Sequence, residues 1–205
     1  MTKMFKSSNL VSGSTDSKDM LNRIIEIAMF LFSNHGYKKT TLSDIAAEVG
    51  MVKSALYYYF PNKKAILEKA IDSECSRYFE IIQLACRSGT AVQRFESFFY
   101  SRWKFMHEVD MLYPTLHDEY LAAYECITNA RNKTRDFEGE LLKTIIRAGQ
   151  KSGEFISGKP STLASAVYEL LEGLVLLWLS QKDLTAGRTD IRTTQFELIS
   201  RGLQK

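Results

Sequence analysis

The stretch Gly36–Leu67 constrains the fold of this chain more than any other, because it specifies two short helices joined by a tight turn. The hydroxyl of Thr41 can accept hydrogen bonds from the first N–H groups of a helix that begins at Leu42. Gly50 follows Val49 at the point where a left-handed residue would end this helix and redirect the chain. The pattern therefore predicts a short amphipathic helix followed by a sharp turn.

A second helix is predicted from Lys53 to Phe60. Leu56 and Phe60 lie four residues apart and can pack inward together, and Pro61 ends the helix. Three consecutive tyrosines follow Leu56. They can pack in a helical core, but a helix turns by about 100° per residue, so at least one of them is exposed. Two short helices joined in this way are typical of a helix-turn-helix that places its second helix in the major groove of DNA.

A longer pattern covers the same segment: a glycine, paired threonines, Ile-Ala and a turn glycine precede Leu-Tyr-x-x-Phe, a lysine and a leucine. These positions are Gly36, Thr40, Thr41, Ile45, Ala46, Gly50, Leu56, Tyr57, Phe60, Lys64 and Leu67. In this pattern the chain resembles the DNA-binding domain of the TetR/AcrR family of prokaryotic transcriptional regulators, strongly over 21–70 and faintly afterwards. The DNA contacts that the resemblance implies are Thr41, Ser43, Lys53, Ser54, Ala55, Tyr57, Tyr58, Tyr59 and Lys63.

Two positions depart from the family pattern. Val52 stands where the family usually has Ser or Thr at the start of the second helix, and a valine cannot cap. The missing cap is worth about 1 kcal/mol at an ordinary helix start, and a possible phosphate contact is lost with it. Tyr59 stands where the family often has histidine. The preferred DNA sequence therefore cannot be carried over from the family.

Positive charge is concentrated at the end of the chain that carries the motif. Residues 1–64 contain nine Lys and Arg against five Asp and Glu, whereas residues 65–205 contain eighteen against nineteen. Lys39 precedes the first motif helix, and Lys63 opens the helix that follows the motif. Some of these lysines are ordinary solvated side chains, but we add Lys39 to the expected DNA contacts. Affinity for DNA is expected to fall steeply with salt.

Length and composition leave room for one further domain. The 205 residues are 45% hydrophobic and include three prolines, which suits a small DNA-binding unit and a larger helical one. We predict an all-α fold, with an N-terminal three-helix helix-turn-helix DNA-binding domain and a larger C-terminal helical ligand-binding and dimerisation domain. The predicted segments are a flexible N-terminal arm at 1–18, the DNA-binding domain at 19–66 and the effector-binding and dimerisation domain at 67–205. The helices predicted beyond the motif cover 63–86, 91–108, 114–129, 131–151, 161–182 and 190–203.

The cysteines and the N-terminal segment predict a cytoplasmic location. Cys75, Cys86 and Cys126 are odd in number, lie far apart and form no C-x-x-C pair, so neither a disulfide framework nor a metal cluster is expected. Residues 1–18 lack the apolar run of a secretory signal. The apolar stretch 163–179 is too short to span a bilayer comfortably. We therefore expect no cofactor, no metal site and no membrane association.

The predicted helix at 161–182 is apolar nearly all round, and one domain seldom covers every face of such a helix. In the family that the chain resembles, the last two helices of each subunit form a four-helix dimer interface. A homodimer is therefore expected, and the alternative is that this helix is the central core helix of a monomer. The side chains assigned to the interface are Tyr168, Leu171, Val175, Trp178, Leu179, Phe196, Ile199 and Leu203.

Aromatic and polar side chains in the middle of the chain predict a small-molecule pocket. Trp103 and His107 lie four residues apart on one predicted helix, and His117 lies on the next. An apolar wall with a few polar groups suits a small apolar or aromatic ligand, although either histidine can equally be a surface or core residue. The residues assigned to the pocket are Trp103, Met106, His107, Tyr113, His117, Tyr120, Tyr124 and Trp178.

The resemblance implies a homodimeric transcriptional regulator, by family default a repressor, which binds a palindromic double-stranded operator and is released by an unknown small-molecule effector. The alternative is an effector-independent DNA-binding regulatory or architectural protein of the same fold, whose C-terminal domain docks a protein partner. An enzyme is not expected. The sequence contains no Glu-x-x-His pair, H-E-x-x-H, G-x-S-x-G or phosphate-binding glycine loop.

Overall fold

The computed structural model describes residues 14–112, 120–180 and 189–205, and these residues form eight α-helices. Within these ranges the only β-type pairing is an isolated antiparallel bridge between Phe155 and Gln204. The all-α class predicted from the sequence is therefore confirmed. The helices are α1 (Ser14–His35), α2 (Leu42–Val49), α3 (Lys53–Tyr59), α4 (Lys63–Ala85), α5 (Ala91–Leu112), α6 (Tyr120–Ser152), α7 (Pro160–Ser180) and α8 (Thr189–Leu203).

One predicted break between helices was wrong. The sequence pattern separates helices at 114–129 and 131–151, whereas α6 runs without interruption from Tyr120 to Ser152. Residues 129–132 are Asn-Ala-Arg-Asn and contain neither proline nor glycine, so nothing there ends a helix. The proposed start of the earlier helix at Pro114 lies outside the described residues.

The described residues divide into two compact units. The head unit comprises the described residues up to Ser73 together with those of 112–127, and the body unit comprises 74–111 and the described residues from 128 onward. α1 begins at Ser14, inside the range assigned to the N-terminal arm. The remainder of that arm, residues 1–13, lies outside the described residues.

The core of the head unit is assembled from one side of each of its helices. Thr40, just before α2, is buried, and its hydroxyl donates a hydrogen bond to the carbonyl of Gly36 at 2.9 Å. This bond fixes the loop that carries the chain from α1 to α2. The buried apolar side chains of this core include Ile24, Ala28, Phe32, Ile45, Val49, Leu56, Phe60, Ile66 and Leu67.

The core of the body unit contains several buried phenylalanines, and it packs closely against the backbone near the end of α6. A Cβ atom at Gly149 would lie 2.3 Å from the ring of Phe155, so the ring packs directly on the α6 backbone and only glycine leaves room for it. The amide of Ile156 then donates to the carbonyl of Leu203 at 2.8 Å, which joins this turn to the end of α8. The buried side chains include Ile82, Phe95, Phe98, Phe99, Leu142, Ile145, Phe155 and Leu171.

Candidate DNA-binding surface

The first helix of the motif begins as the sequence predicts. Thr41 is the N-cap of α2, and its hydroxyl accepts a hydrogen bond from the amide of Asp44 at 3.2 Å. The Asp44 carboxylate in turn accepts from the Thr41 amide at 2.8 Å, which completes a capping box. Hydrogen bonds from the backbone and side chain of Thr41 lower the pKa of Asp44. The start of α2 is therefore fixed by local contacts.

The turn between the two helices depends on a glycine. Gly50 has a φ of 84°, in the left-handed region, and its amide donates to the carbonyls of Ala46 and Ala47. The chain then enters α3, in which Leu56 is buried, and Phe60 ends the helix with a buried ring. Leu56 and Phe60 thus attach α3 to the core and leave its opposite side in solvent, as a recognition helix requires.

The solvent side of α3 and of its N-cap, Val52, is made of hydroxyl groups, one lysine and one valine. Tyr58 is 85% exposed and Val52 is 68% exposed, and Lys53, Ser54 and Tyr57 also lie in solvent. The Lys53 ammonium lies 5.9 Å from the centre of the Tyr57 ring. Phenolic and hydroxyl groups on a helix can donate hydrogen bonds to phosphate oxygens and so fix the register of the protein on DNA.

The remaining predicted contacts of this surface are divided between solvent and core. Lys39, Thr41 and Ser43 are exposed around the start of α2. Ala55 is half-buried, and Tyr59 packs against the head core with its ring edge-on to Tyr58, at 5.4 Å between ring centres. The DNA contacts of all these residues remain predictions.

Lys63 makes contacts within the chain that the sequence did not predict. Its ammonium donates to the carbonyl of Thr40 at 2.8 Å and to the carbonyl of Tyr37, and it lies 4.3 Å from the centre of the Tyr37 ring. A further, longer bond at 3.4 Å reaches the carbonyl of Lys38. Lys63 therefore ties the loop before α2 to the start of α4, and its DNA contact remains a prediction.

Sequence reasoning missed these hydrogen bonds of Lys63, and it also missed a buried ion network in the body unit. The Glu138 side chain is 1% exposed; both of its oxygens lie 3.0 Å from Nε of Arg102, and one of them accepts a hydrogen bond from the Tyr78 hydroxyl. Arg102 also donates to Glu172 at 2.9 Å, and Arg131 reaches the other oxygen of Glu172 at 2.6 Å. The charges within this part of the body unit therefore balance.

The predicted pocket residues are described only in part. Trp103 and Met106 are half-buried on α5, and the guanidinium of Arg192 lies 5.2 Å from the centre of the Trp103 ring. His107 is exposed. Tyr113 and His117 lie outside the described residues, as do the side chains of Tyr120, Tyr124 and Trp178. The pocket therefore remains a prediction.

Several residues assigned to the dimer interface belong to the core of their own chain instead. Leu171, Val175 and Leu203 are buried, because each lies on the inward side of α7 or α8. Three others, Tyr168, Phe196 and Ile199, are half-buried and pack against the same core. The side chains of Trp178 and Leu179 lie outside the described residues.

The outward apolar side of α7 is instead formed by leucines one residue away from those predicted. Leu170 is 58% exposed, and Leu176 and Leu177 are also exposed.

Among the described helices, one window, Pro160–Leu177, is long and apolar enough to cross a membrane by length and composition, and 22% of it is buried within the chain. A single helix of this kind is weak evidence for a membrane span.

Comparison with known proteins identifies the motif. Residues 24–70 match the family described as bacterial regulatory proteins, tetR family. The chain is 33% identical over 110 residues to the biofilm operon icaADBC negative transcriptional regulator IcaR of Staphylococcus epidermidis, a match covering 54% of this chain and 58% of that protein. It is 27% identical over 169 residues to IcaR of Staphylococcus aureus strain Newman, covering 82% and 84% of the two chains.

Solved structures agree with this assignment. A transcriptional regulator from Cytophaga hutchinsonii superposes with a TM-score of 0.73 at 25% identity, over 90% of this chain and 98% of that one. A TetR/AcrR-family regulator from Thermobifida fusca superposes with a TM-score of 0.72 at 22% identity, over 91% and 100%. Together with a helix-turn-helix whose recognition side is exposed, these matches assign residues 24–70 to the TetR family of DNA-binding domains, and the relatives are named as transcriptional regulators.

Proposed function

We propose that the protein is a homodimeric repressor that binds a palindromic operator through α3 and is released from it by a small-molecule effector. The observation that carries this proposal is the outward side of α7. Ala166, Leu170, Gly173 and Leu177 are all exposed, and they alternate at four- and three-residue spacing as in a helix-pairing seam. Such a seam suits a second copy of the same helix pair.

Glycine positions in α7 and α8 support this interpretation. A Cβ atom added at Gly173 or Gly202 would meet no atom of the chain within 4 Å, so packing inside the chain does not require either glycine. A glycine inside a helix costs about 1 kcal/mol relative to alanine. A partner helix that packs close to the α7 backbone would require a small residue at Gly173. On α8 the exposed Ile191 and Leu198 lie on the same side of that helix as Gly202, as their spacing along the helix requires.

A dimer explains how the exposed side of α3 reads DNA. Two recognition helices held about 34 Å apart, one turn of B-DNA, bind the two halves of a palindrome. Occupation of such a site blocks transcription when the site overlaps a promoter. The staphylococcal relatives are named negative regulators, which favours repression over activation for this chain.

Release by an effector requires that the dimer has two conformers, one of which binds the operator. An effector that binds the body unit more tightly in a conformer whose two recognition helices are mis-spaced lowers the affinity for the operator. The half-buried Trp103 and Met106 offer apolar surface for it. Calorimetric titration of candidate aromatic and apolar effectors, with and without operator, tests the coupling. Equal effector affinity in both titrations would remove this part of the proposal.

The dimer is tested by placing a charge in the seam. Leu170→Glu is expected to convert the dimer to a monomer at micromolar concentration and to abolish cooperative operator binding, because two carboxylates would be buried without partners. Leu84→Glu on α4 is the matched control, since Leu84 is 71% exposed and lies outside the seam. Light scattering coupled to size exclusion measures the mass. A wild-type monomer, or a Leu170→Glu dimer, would contradict the proposed interface.

A further inference from the structure

Val52 is an exposed apolar side chain at the N-cap of the recognition helix, directly before its first residue, Lys53. It is 68% exposed, and it makes no capping hydrogen bond to α3. A serine or threonine there would stabilise the helix start, and a buried valine would stabilise the core. Neither contribution explains this residue in the free protein, so its contribution is expected in the complex with DNA.

The rest of the recognition helix narrows what Val52 can contact. The sequence of α3 is KSALYYY, which contains no Arg, Asn or Gln, the side chains that read guanine or adenine through paired hydrogen bonds. Lys53 is the one long cationic side chain on this helix that can reach a guanine. Direct readout by this surface therefore relies on Lys53, on hydroxyl groups and on apolar contact.

The major groove offers one apolar group for such contact, the C5-methyl of thymine. The residues at the start of a recognition helix are those that meet base edges. We infer that Val52 is a specificity-determining residue that packs against the methyl group of one thymine in each half of the operator. This inference rests on the operator binding proposed above. It adds a base preference that the family resemblance does not supply.

The experiment begins with selection of preferred sites from a randomised DNA duplex pool by the full-length protein. Each thymine of the selected site is then replaced singly, and in both half-sites together, by deoxyuridine, which removes the methyl group and keeps the base pair. Fluorescence anisotropy measures the dissociation constants. Removing the contacted methyl is expected to weaken binding about fourfold per half-site, from the usual value of one buried methylene.

The variant Val52→Ser assigns the effect to Val52. Serine has no methyl group but can cap α3, so the variant keeps a stable helix start. It should bind thymine and deoxyuridine at the sensitive position equally well, and selection with it should lose the preference for thymine there. Tyr58→Phe is the control. It should weaken binding to both duplexes by the same factor and leave the deoxyuridine penalty unchanged.

The outcomes separate this inference from the function on which it rests. An enriched operator with no deoxyuridine penalty, or with the same penalty in wild type and Val52→Ser, overturns the role of Val52 and leaves operator binding intact. Failure of the wild-type protein to enrich any sequence overturns operator binding and the inference together.

Discussion

Replacing Arg102 by methionine tests whether the body unit depends on its buried ion network. The Glu138 carboxylate would keep only the hydrogen bond from Tyr78, with its side chain still 1% exposed. Removing one partner of a buried pair costs about 3–5 kcal/mol, because the remaining charge is left without compensation. We therefore expect Arg102→Met to lower the free energy of unfolding at pH 7.5 by about that amount, measured by urea denaturation at fixed protein concentration.

The pH dependence of this loss identifies its cause. In the wild type, burial raises the pKa of Glu138, while Arg102 opposes the rise. Without Arg102 the folded-state pKa rises further above the unfolded value. A carboxyl group of that kind stabilises the fold at low pH and loses this contribution as the pH rises through the folded-state pKa. The deficit of Arg102→Met relative to wild type should therefore shrink between pH 7.5 and pH 5.

The double variant Arg102→Met, Glu138→Gln provides the control. Both charges are then absent and Tyr78 still has an acceptor, so at least half of the lost stability should return at pH 7.5. Purely additive losses, or a deficit for Arg102→Met that does not depend on pH, would refute the reasoning that an uncompensated buried carboxylate causes the loss.

Two further predictions concern the head and body units separately. Tyr58→Phe should weaken operator binding by about 1 kcal/mol if its exposed hydroxyl donates to a phosphate, with sequence preference unchanged; unaltered affinity in anisotropy titrations would remove Tyr58 from the contact surface. Gly149→Ala should lower the melting temperature, because the new Cβ would lie 2.3 Å from the Phe155 ring; Gly139→Ala, on the same helix and with no atom within 4 Å of its Cβ, should not lower it.

The helix-turn-helix could be predicted from sequence because its signals are local. Thr41 caps α2 through hydrogen bonds with Asp44, three residues later in the chain. Gly50 ends α2, and its amide donates to carbonyls of the preceding helical turn. Such contacts depend on neighbours along the chain and not on the rest of the fold. The existence of α2 and α3, and the burial of Leu56, were therefore readable from the residue pattern alone.

Features that depend on contacts across the fold could not be predicted in this way. Lys63 finds its carbonyl partners more than twenty residues earlier in the chain, and no local pattern distinguishes it from a phosphate-binding lysine. On α7, apolar residues occupy nearly every side, so the sequence pattern does not show which side of the helix faces the core. The exposed Leu170 and the buried Leu171 differ by one residue, or about 100° of helix rotation.

The ion network was missed for a related reason. Arg102, Glu138 and Glu172 lie on three different helices, α5, α6 and α7. In the sequence each has the appearance of an ordinary surface charge. One usable signal was that α7 contains two carboxylates, Glu169 and Glu172, in a mainly apolar sequence, since a buried charge in such a helix is commonly paired.

Binding of the purified protein to DNA from its own upstream region tests the central claim most directly. Fluorescence anisotropy across a salt series, with non-specific competitor present, should give saturable binding at two subunits per site and an affinity that falls steeply with salt. The molar mass of the protein–DNA complex, measured in solution by light scattering, gives the number of subunits per site independently. Weak binding that is indifferent to sequence, or one subunit per site, would contradict a dimeric operator-binding repressor.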